Sequence, residues 1–262
     1  MSRQNQNSKR NSKRNNETSF REIWTVPEGT PELTGSEIRA LPQAGQIRKI
    51  ILPDSVRCID NYCFSSLHQL EEVRFPDSAV AVGIGIFRHC WNLRCVILPE
   101  GTRRIDAAFF YGCGRLCSLK IPKTVEEIDR DALRTCEQLT DVELADEKFS
   151  RYPRTVRLLA ALTCIRKGKV QTAGSGSASY PQTAAYISSH RLSLMDIAIA
   201  ENDTDAVYQM LQHPLFSDAL NRAELQRLAD RTNREGRTEI MVMLLKELQK
   251  RNLKEEEKVF AW

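Results

Sequence analysis

Eight cysteines and four histidines are the side chains in this sequence best suited to chemistry, as metal ligands, nucleophiles or disulfide partners. A zinc site needs four converging thiolate or imidazole ligands, and the usual CxxC pair never occurs. His89 stands beside Cys90, but adjacent side chains usually point apart, which disfavours a nucleophile–base pair. We therefore expect reduced, structural cysteines, with zinc binding and thiol catalysis as alternatives. The cysteines lie at positions 58, 63, 90, 95, 113, 117, 136 and 164, and the histidines at 68, 89, 190 and 213.

No other pattern supplies a catalytic constellation. Neither HExxH nor GxSxG occurs, and the fragment Gly83-Ile-Gly85 lacks the third glycine and the preceding strand of a dinucleotide-binding loop. We interpret these two glycines as residues that loosen a turn. The sequence thus predicts a non-enzymatic protein with no catalytic residue, no cofactor and no metal ion.

The elements that position these residues follow from an internal repeat. Prolines recur at 53, 76, 99 and 122, and other columns keep the same 23-residue spacing. Agreement of five or more columns over four copies is a strong signal of a repeat architecture. The columns are Ile59, Val82, Ile105 and Ile128; Phe64, Phe87, Phe110 and Leu133; Leu67, Cys90, Cys113 and Cys136; Leu70, Leu93, Leu116 and Leu139; and Val73, Val96, Leu119 and Val142.

Each repeat unit predicts a coil of a solenoid. Residues 70–75 alternate as a strand does, with Val73 and Phe75 facing inward, and a proline then ends the strand because it cannot donate to the ladder. A second short extended piece follows at residues 56–59. The stretch around the phenylalanine column is interpreted as one helical turn. Stacked units would bury a continuous core, in which Cys90, Cys113 and Cys136 act as small apolar groups.

The motifs of these units resemble the BspA-like leucine-rich repeats. LPDSVRCIDNYCF at residues 52–64, LPEGTRRID at 98–106 and IPKTVEEID at 121–129 carry the resemblance, which covers residues 47–146. VPEGT at 26–30 looks like a further start, but its proline lies farther from Pro53 than the regular spacing allows, which predicts an irregular N-terminal cap. The resemblance implies a leucine-rich-repeat solenoid. Known members are largely bacterial or protist, and many are surface proteins that bind other macromolecules.

The second half of the chain predicts helices. Residues 155–167 have helical spacing, a Gly/Ser-rich loop follows at 168–179, and a second, longer repeat aligns 194–211 with 228–245. Thr204 and Thr238, each followed by an acidic residue, suit helix N-termini. This pattern resembles the helix pairs of ankyrin repeats, although the Thr-Pro-Leu-His signature is absent. The combination with leucine-rich repeats looks like cytoplasmic proteins of gut Firmicutes.

The predicted fold class is therefore α+β, a leucine-rich-repeat solenoid of 23-residue β-rich coils followed by an all-α, ankyrin-like region. The expected domains are a disordered basic tail at 1–19, the solenoid with its cap at 20–149 and the helical region at 150–262. The tail has five basic residues and one acidic residue. Removing them from the 38 basic and 34 acidic residues of the chain leaves 33 of each, so the whole +4 net charge lies in the tail.

The expected location of the protein depends on three features of the sequence: its membrane-span candidates, its N-terminal residues and its cysteines. No stretch is long and apolar enough to span a membrane, and residues 1–19 have no apolar core of the kind a secretory signal needs. Reduced thiols in a long chain favour a cytoplasmic location. The leading interpretation is a protein–protein interaction scaffold for a partner of unknown identity. The alternatives are weak nucleic-acid association through the tail and a surface adhesin-like protein exported by an unrecognised route.

The candidate binding residues stand in two outward columns of the main strands, on a sheet expected to be about five strands wide. Two isoleucines and a cysteine are unusual on an outward face, which indicates either ordinary β-propensity or a contact patch for a protein partner. The candidate residues are Ile51, Glu72, Arg74, Cys95, Ile97, Lys120, Asp141 and Glu143.

The tail alternative makes an electrostatic prediction. At most five cations can meet phosphates, so binding to double-stranded DNA would fall with salt with a log–log slope no steeper than about −4.5. Deleting residues 1–19 is expected to abolish such binding without changing the melting temperature. Sequence-selective DNA binding that survives the deletion, measured by fluorescence anisotropy, would place the nucleic-acid site elsewhere.

Overall fold

The computed structural model describes residues 22–145, 151–167, 181–217 and 220–260. These residues form two compact units, one of residues 22–145 and 151–157 and the other beginning at residue 158. The predicted basic tail at 1–19 and the Gly/Ser-rich loop at 168–179 lie outside the described residues. The predicted fold class, a β-rich solenoid with 23-residue spacing followed by a helical region, is confirmed.

One parallel sheet, called here the principal sheet, runs the length of the first unit with a strand from every coil. The register advances by one repeat unit in the regular coils, so that Ile50 pairs with Val73 and Leu119 pairs with both Val96 and Val142. The sheet is one strand wider than the sequence columns predict. Its strands, in spatial order, are β1 Ile23–Thr25, β3 Lys49–Ile51, β5 Glu72–Arg74, β7 Cys95–Ile97, β9 Ser118–Ile121 and β11 Asp141–Leu144.

A second strand column follows the prolines, as the sequence predicts. Strands β2 Glu32–Leu33, β4 Cys58–Ile59 and β6 Ala81–Val82 form one small parallel sheet, and β8 Arg104–Ile105 and β10 Glu127–Ile128 form another. Between the columns lies a stacked core. The rings of Phe64 and Phe87 are 5.6 Å apart and those of Phe87 and Phe110 are 5.7 Å apart, both stacked. These phenylalanines are fully buried, so each contributes a large apolar area to the coil interfaces.

The predicted helical turn around the phenylalanine column is wrong. In the second regular coil, the N–H of Cys90 donates to the carbonyl of Phe87 and the N–H of Leu93 donates to that of Cys90, which makes consecutive tight turns. His89 lies inside the first turn at φ 60°, and its equivalents in the preceding and following coils, Ser66 and Gly112, also have positive φ. A left-handed residue at this column breaks the right-handed winding, so a helix cannot propagate.

Gly83 does not loosen its turn, as the sequence suggested, but allows neighbouring coils to approach. A Cβ atom at this position would lie 2.7 Å from the backbone nitrogen of Asn61 in the preceding coil. Real Cβ contacts are essentially never that short. Glycine is therefore needed here because only it leaves room for the adjacent backbone.

The N-terminal coil is irregular, as the spacing of its proline predicts. A short helix, α1 Gly35–Arg39, stands where the regular coils have tight turns. Thr34 caps it, accepting a hydrogen bond from the N–H of Glu37, while the Glu37 carboxylate accepts one from the N–H of Thr34. Trp24 pairs with Ile50 and is half-buried, so it continues the inward column of the principal sheet at its first strand.

Helices make up the remainder of the described chain. They are α2 Arg154–Arg166, α3 Pro181–Ala200 with a kink at His190, α4 Thr204–Gln212, α5 Pro214–Ser217, α6 Arg222–Arg234 and α7 Thr238–Phe260. Helices α4 and α7 begin at Thr204 and Thr238, as predicted, and Asp203 supplies the side-chain cap of α4. None of the described helices is long and apolar enough to span a membrane.

The longer repeat of the second half is visible in the turns that precede α4 and α7. Asn202 and Gly236 occupy equivalent positions of the two copies, and both have positive φ. The following residues, Asp203 and Arg237, donate their N–H groups to the equivalent carbonyls of Ala198 and Thr232. The repeat is therefore structural, whereas the ankyrin likeness stays a prediction.

The close approach at Gly83 makes a testable prediction. Gly83→Ala is expected to destabilise the fold by about 1–3 kcal/mol, because the added methyl group overlaps backbone that cannot move without breaking the stack. Gly114→Ala is the matched control, since a Cβ there meets nothing within 4 Å. It should be neutral or stabilising by up to about 1 kcal/mol. Urea unfolding midpoints measure both, and a neutral Gly83→Ala would restore the loose-turn interpretation.

Candidate protein-interaction face

The eight sequence-predicted binding residues lie on the outward side of the principal sheet. The register places Glu72 beside Cys95, Cys95 beside Ser118 and Ser118 beside Asp141 in the first column. In the second column Lys120 lies between Ile97 and Glu143. The alternating residues of the same strands are buried, so strand geometry alone directs these side chains outward. The structure therefore brings the candidates together on a single face.

Ion pairs occupy the N-terminal part of this face. Lys49 Nζ lies 2.8 Å from Glu72 Oε2, and Arg74 Nε lies 2.7 Å from Glu72 Oε1. The hydrogen bond from Lys49 is the main reason that the pKa of the Glu72 carboxyl lies below its ordinary value, and the hydrogen bond from Arg74 adds to the effect. Because these side chains already form ion pairs with one another, they contribute less to binding a partner than unpaired charges would.

The centre of the face is apolar and exposed. The side chain of Ile97 is 59% exposed, the largest fraction among the exposed large apolar residues of the described chain. Cys95 and Lys120 are exposed beside it. Small contact patches on protein surfaces often combine an exposed apolar side chain with a neighbouring charge, as Ile97 and Lys120 do here.

A groove of about 610 Å³ adjoins this centre where the principal strands end. Five of the eight candidates line it, whereas Ile51, Asp141 and Glu143 do not. Sequence reasoning missed the other side of the groove, where Asp77 and Glu100 each follow a proline of the repeat. The spacing of those prolines indicates only where strands end, although the acidic residues after them also line the groove. The five candidates in the groove are Glu72, Arg74, Cys95, Ile97 and Lys120.

Comparison with known families identifies the repeat. The model of the BspA-type leucine-rich-repeat region matches residues 39–152 in six copies. Residues 39–152 are a BspA-type leucine-rich-repeat region. The candidate face is thus the sheet face of a leucine-rich-repeat solenoid, and the match extends slightly beyond residues 47–146, which the sequence motifs indicated.

Solved structures similar to this chain include three bacterial leucine-rich-repeat proteins. One is a leucine-rich cell surface protein from Faecalibacterium prausnitzii A2-165, with 24% identity, a TM-score of 0.42 and coverage of 48% of this chain and 33% of that one. A Bacteroides ovatus protein has 20% identity, a TM-score of 0.35 and coverage of 47% and 43%. A T. pallidum protein has 19% identity, a TM-score of 0.33 and coverage of 52% and 80%.

The chain spans about a third of the length of the F. prausnitzii protein that it matches and less than half of the B. ovatus protein. A search of curated proteins found no significant match to this sequence.

The cysteine column of the repeat faces the core, as its spacing predicts. All eight cysteines are free thiols, and Cys90, Cys113 and Cys136 are buried in the leucine-rich-repeat core. In the described part of the chain, no group of three or more histidine, cysteine or acidic side chains is placed to hold a metal ion. The ring of His89 packs on Tyr111, 5.3 Å away, while Cys90 points into the core, so the two do not form a nucleophile–base pair.

The buried thiols also form hydrogen bonds that sequence reasoning missed. Cys90 Sγ donates to the carbonyl of Phe64 at 3.1 Å, and Cys113 Sγ donates to that of Phe87 at 3.1 Å. Each acceptor belongs to the preceding coil. A thiol therefore both fills the small core slot and ties one coil to the next, which explains why cysteine recurs where the first unit has Leu67.

Burial raises the pKa of these thiols. Desolvation is the main cause at each of the four buried positions, and it brings the pKa of Cys63 and of Cys136 to about 12. The thiols remain protonated at neutral pH, which makes them poor nucleophiles and poor metal ligands.

Cys113→Ala tests this structural role. We expect a loss of about 1–2 kcal/mol at pH 8, from the small cavity and the lost hydrogen bond, while exposed Cys117→Ala should cost less than about 0.5 kcal/mol. The pKa of Cys113 is raised in the folded state, so its stabilisation is complete below the ordinary value of 9.0 and declines above it. The cost of Cys113→Ala should therefore shrink by about 1.4 kcal/mol between pH 8 and pH 10. A cost that is independent of pH, measured by urea unfolding, would contradict the buried, protonated thiol.

Proposed function

We propose that this protein is a non-enzymatic protein–protein interaction scaffold, which binds a protein partner through the outward face of the principal sheet and the groove beside it. The observation that carries the proposal is Ile97. An isoleucine that is 59% exposed, at the centre of one rigid face and on the wall of a groove, gains from being covered by a partner.

The chemistry of the face indicates how a partner would be held. Ile97 and Cys95 supply an apolar centre, and the charged side chains of Lys120, Asp77 and Glu100 line the same groove. An apolar centre inside a polar rim is the common arrangement of protein interfaces. The strands beneath are fixed by the stack, so little conformational entropy is lost when the face is covered.

We also propose a cytoplasmic location. Two free cysteines, Cys95 and Cys117, are exposed on the solenoid surface, and a reducing compartment keeps such thiols from forming mixed disulfides. The competing proposal is a surface adhesin-like protein, with which a BspA-type repeat region is equally consistent. Cell fractionation decides between them. The nucleic-acid alternative rests on the tail, outside the described residues, and stays a prediction.

Affinity capture from the native cytoplasm tests the scaffold. Ile97→Arg places a charge in the apolar centre and is expected to weaken partner retention at least tenfold, since an unpaired buried charge is costly at an interface. Ile84→Arg is the matched control, because Ile84 is an exposed isoleucine of the same solenoid that does not line the groove.

The readout is the amount of co-purified partner per mole of bait, with thermal melting to show that both variants are folded. A partner kept by wild type and Ile84→Arg but lost by Ile97→Arg supports the proposal. A partner retained equally by folded Ile97→Arg would show that the face is not the binding surface.

A further inference from the structure

A second exposed surface lies at the tight turns that precede the strands of the principal sheet. His68 and Trp91 come from neighbouring coils, and their rings stack at 4.1 Å with an interplanar angle of 17°. Trp91 is nevertheless 54% exposed. Asn92 holds the same corner by donating from Nδ2 to the carbonyl of His68 at 2.9 Å. The two residues stand one 23-residue repeat apart, so the period places them at equivalent positions of adjacent coils, but sequence reasoning missed the pair.

The aromatic surface continues into the next coil. His68 Nδ1 lies 3.0 Å from the carbonyl oxygen of His89, and the His89 ring packs edge-on against Tyr111 at 5.3 Å. The guanidinium of Arg88 lies over the Tyr111 ring, 5.9 Å from its centroid. Tyr111 is 47% exposed. The linked residues are defined here as the turn-side patch: His68, Arg88, His89, Trp91, Asn92, Tyr111 and Arg115.

The repeat does not require a histidine at position 89. His89 has φ 60°, and Gly112 occupies the corresponding position of the next coil at φ 81°. Glycine adopts this conformation without strain, whereas histidine is held in it at a cost. The positive φ belongs to the turn, since Ser66 shares it in the preceding coil, so the backbone accounts for the conformation of residue 89 but not for the choice of histidine. None of the patch residues lines the groove of the candidate face.

The charge of the patch is positive and uncompensated. Elsewhere in the solenoid arginines pair with acids at the equivalent position of the next coil, as Arg103 does with Glu126 at 2.7 Å and Arg104 with Glu127 at 3.6 Å. Within the described residues, neither Arg88 nor Arg115 has a carboxylate in ion-pairing range. Arg115 instead donates to the Asn92 side chain at 2.9 Å.

We propose that the turn-side patch binds an acidic segment of a protein partner, with carboxylates on Arg88 and Arg115 and an apolar side chain on Trp91. Tryptophan, tyrosine and arginine are the residues most enriched at protein-binding hot spots. A single-stranded nucleic acid would stack its bases on free aromatic faces. Here His68 covers one face of Trp91 and the Arg88 guanidinium lies over Tyr111, which favours an acidic polypeptide. This site is independent of the candidate face.

A displayed library of random dodecapeptides, panned on the full chain, tests the proposal. Binders that also bind the double variant Trp91→Ala/Arg115→Glu are removed first, so that the remaining peptides report on the patch. We expect the selected peptides to be enriched in Asp and Glu together with Leu, Phe or Trp. A representative peptide should bind Arg115→Glu and Trp91→Ala at least tenfold more weakly than wild type.

Two controls are matched to these variants. Tyr208→Ala removes an aromatic side chain of similar exposure from the helical unit, and Arg104→Glu reverses an exposed arginine of the same solenoid. Both should bind the selected peptide as wild type does, as should Ile97→Arg of the candidate face. Urea midpoints of all variants show that they are folded.

Three results would overturn the proposal. They are no enrichment over the double variant, selected peptides without an excess of acidic residues, and tighter binding of a short poly-U RNA that is lost in the same two variants. The last result would assign the patch to single-stranded nucleic acid. Binding that is lost equally in Arg104→Glu would show general electrostatic attraction, which also contradicts a defined site.

Discussion

Stacking of parallel strands in the register of the repeat is the constraint on which the rest of the solenoid depends. A single coil exposes its apolar side to water and gains stability only when a neighbour covers it. Every coil must then place the same kind of side chain at the same depth, as Ile50, Val73 and their successors do. The buried phenylalanines and the thiol-to-carbonyl hydrogen bonds both act across this coil-to-coil interface.

The same stacking of strands in register also determines which residues form the outward face of the principal sheet. Alternation along each strand directs one set of residues inward and exposes the other, so outward columns become continuous stripes across the sheet. Side chains at equal register meet, and oppositely charged ones pair, as Lys49 does with Glu72. The stack does not restrict the residue type at exposed positions. Ile97 on the sheet face and Trp91 beside the left-handed residues of the tight turns are two such positions.

Much of this architecture could be predicted from the sequence because the period repeats in several independent columns. The strands, the inward cysteines and the outward candidates follow from spacing and alternation alone. The tight turns could not be predicted, since positive φ at His89 is not expected of a histidine. The role of Gly83 depends on how closely the backbones of adjacent coils approach. The repeat places His68 beside Trp91, but the stacked orientation of their rings and the exposure of Trp91 do not follow from the period.

The central claim, that a partner covers the outward face at its apolar centre, can be tested most directly with the exposed thiol of Cys95. Its alkylation rate by iodoacetamide is measured by mass spectrometry with the captured partner absent and at saturation. Cys117 is the internal reference, because it is exposed but does not line the groove. The account predicts that the partner slows the reaction of Cys95 at least tenfold relative to Cys117. Equal rates for Cys95 in the free and saturated protein would contradict it.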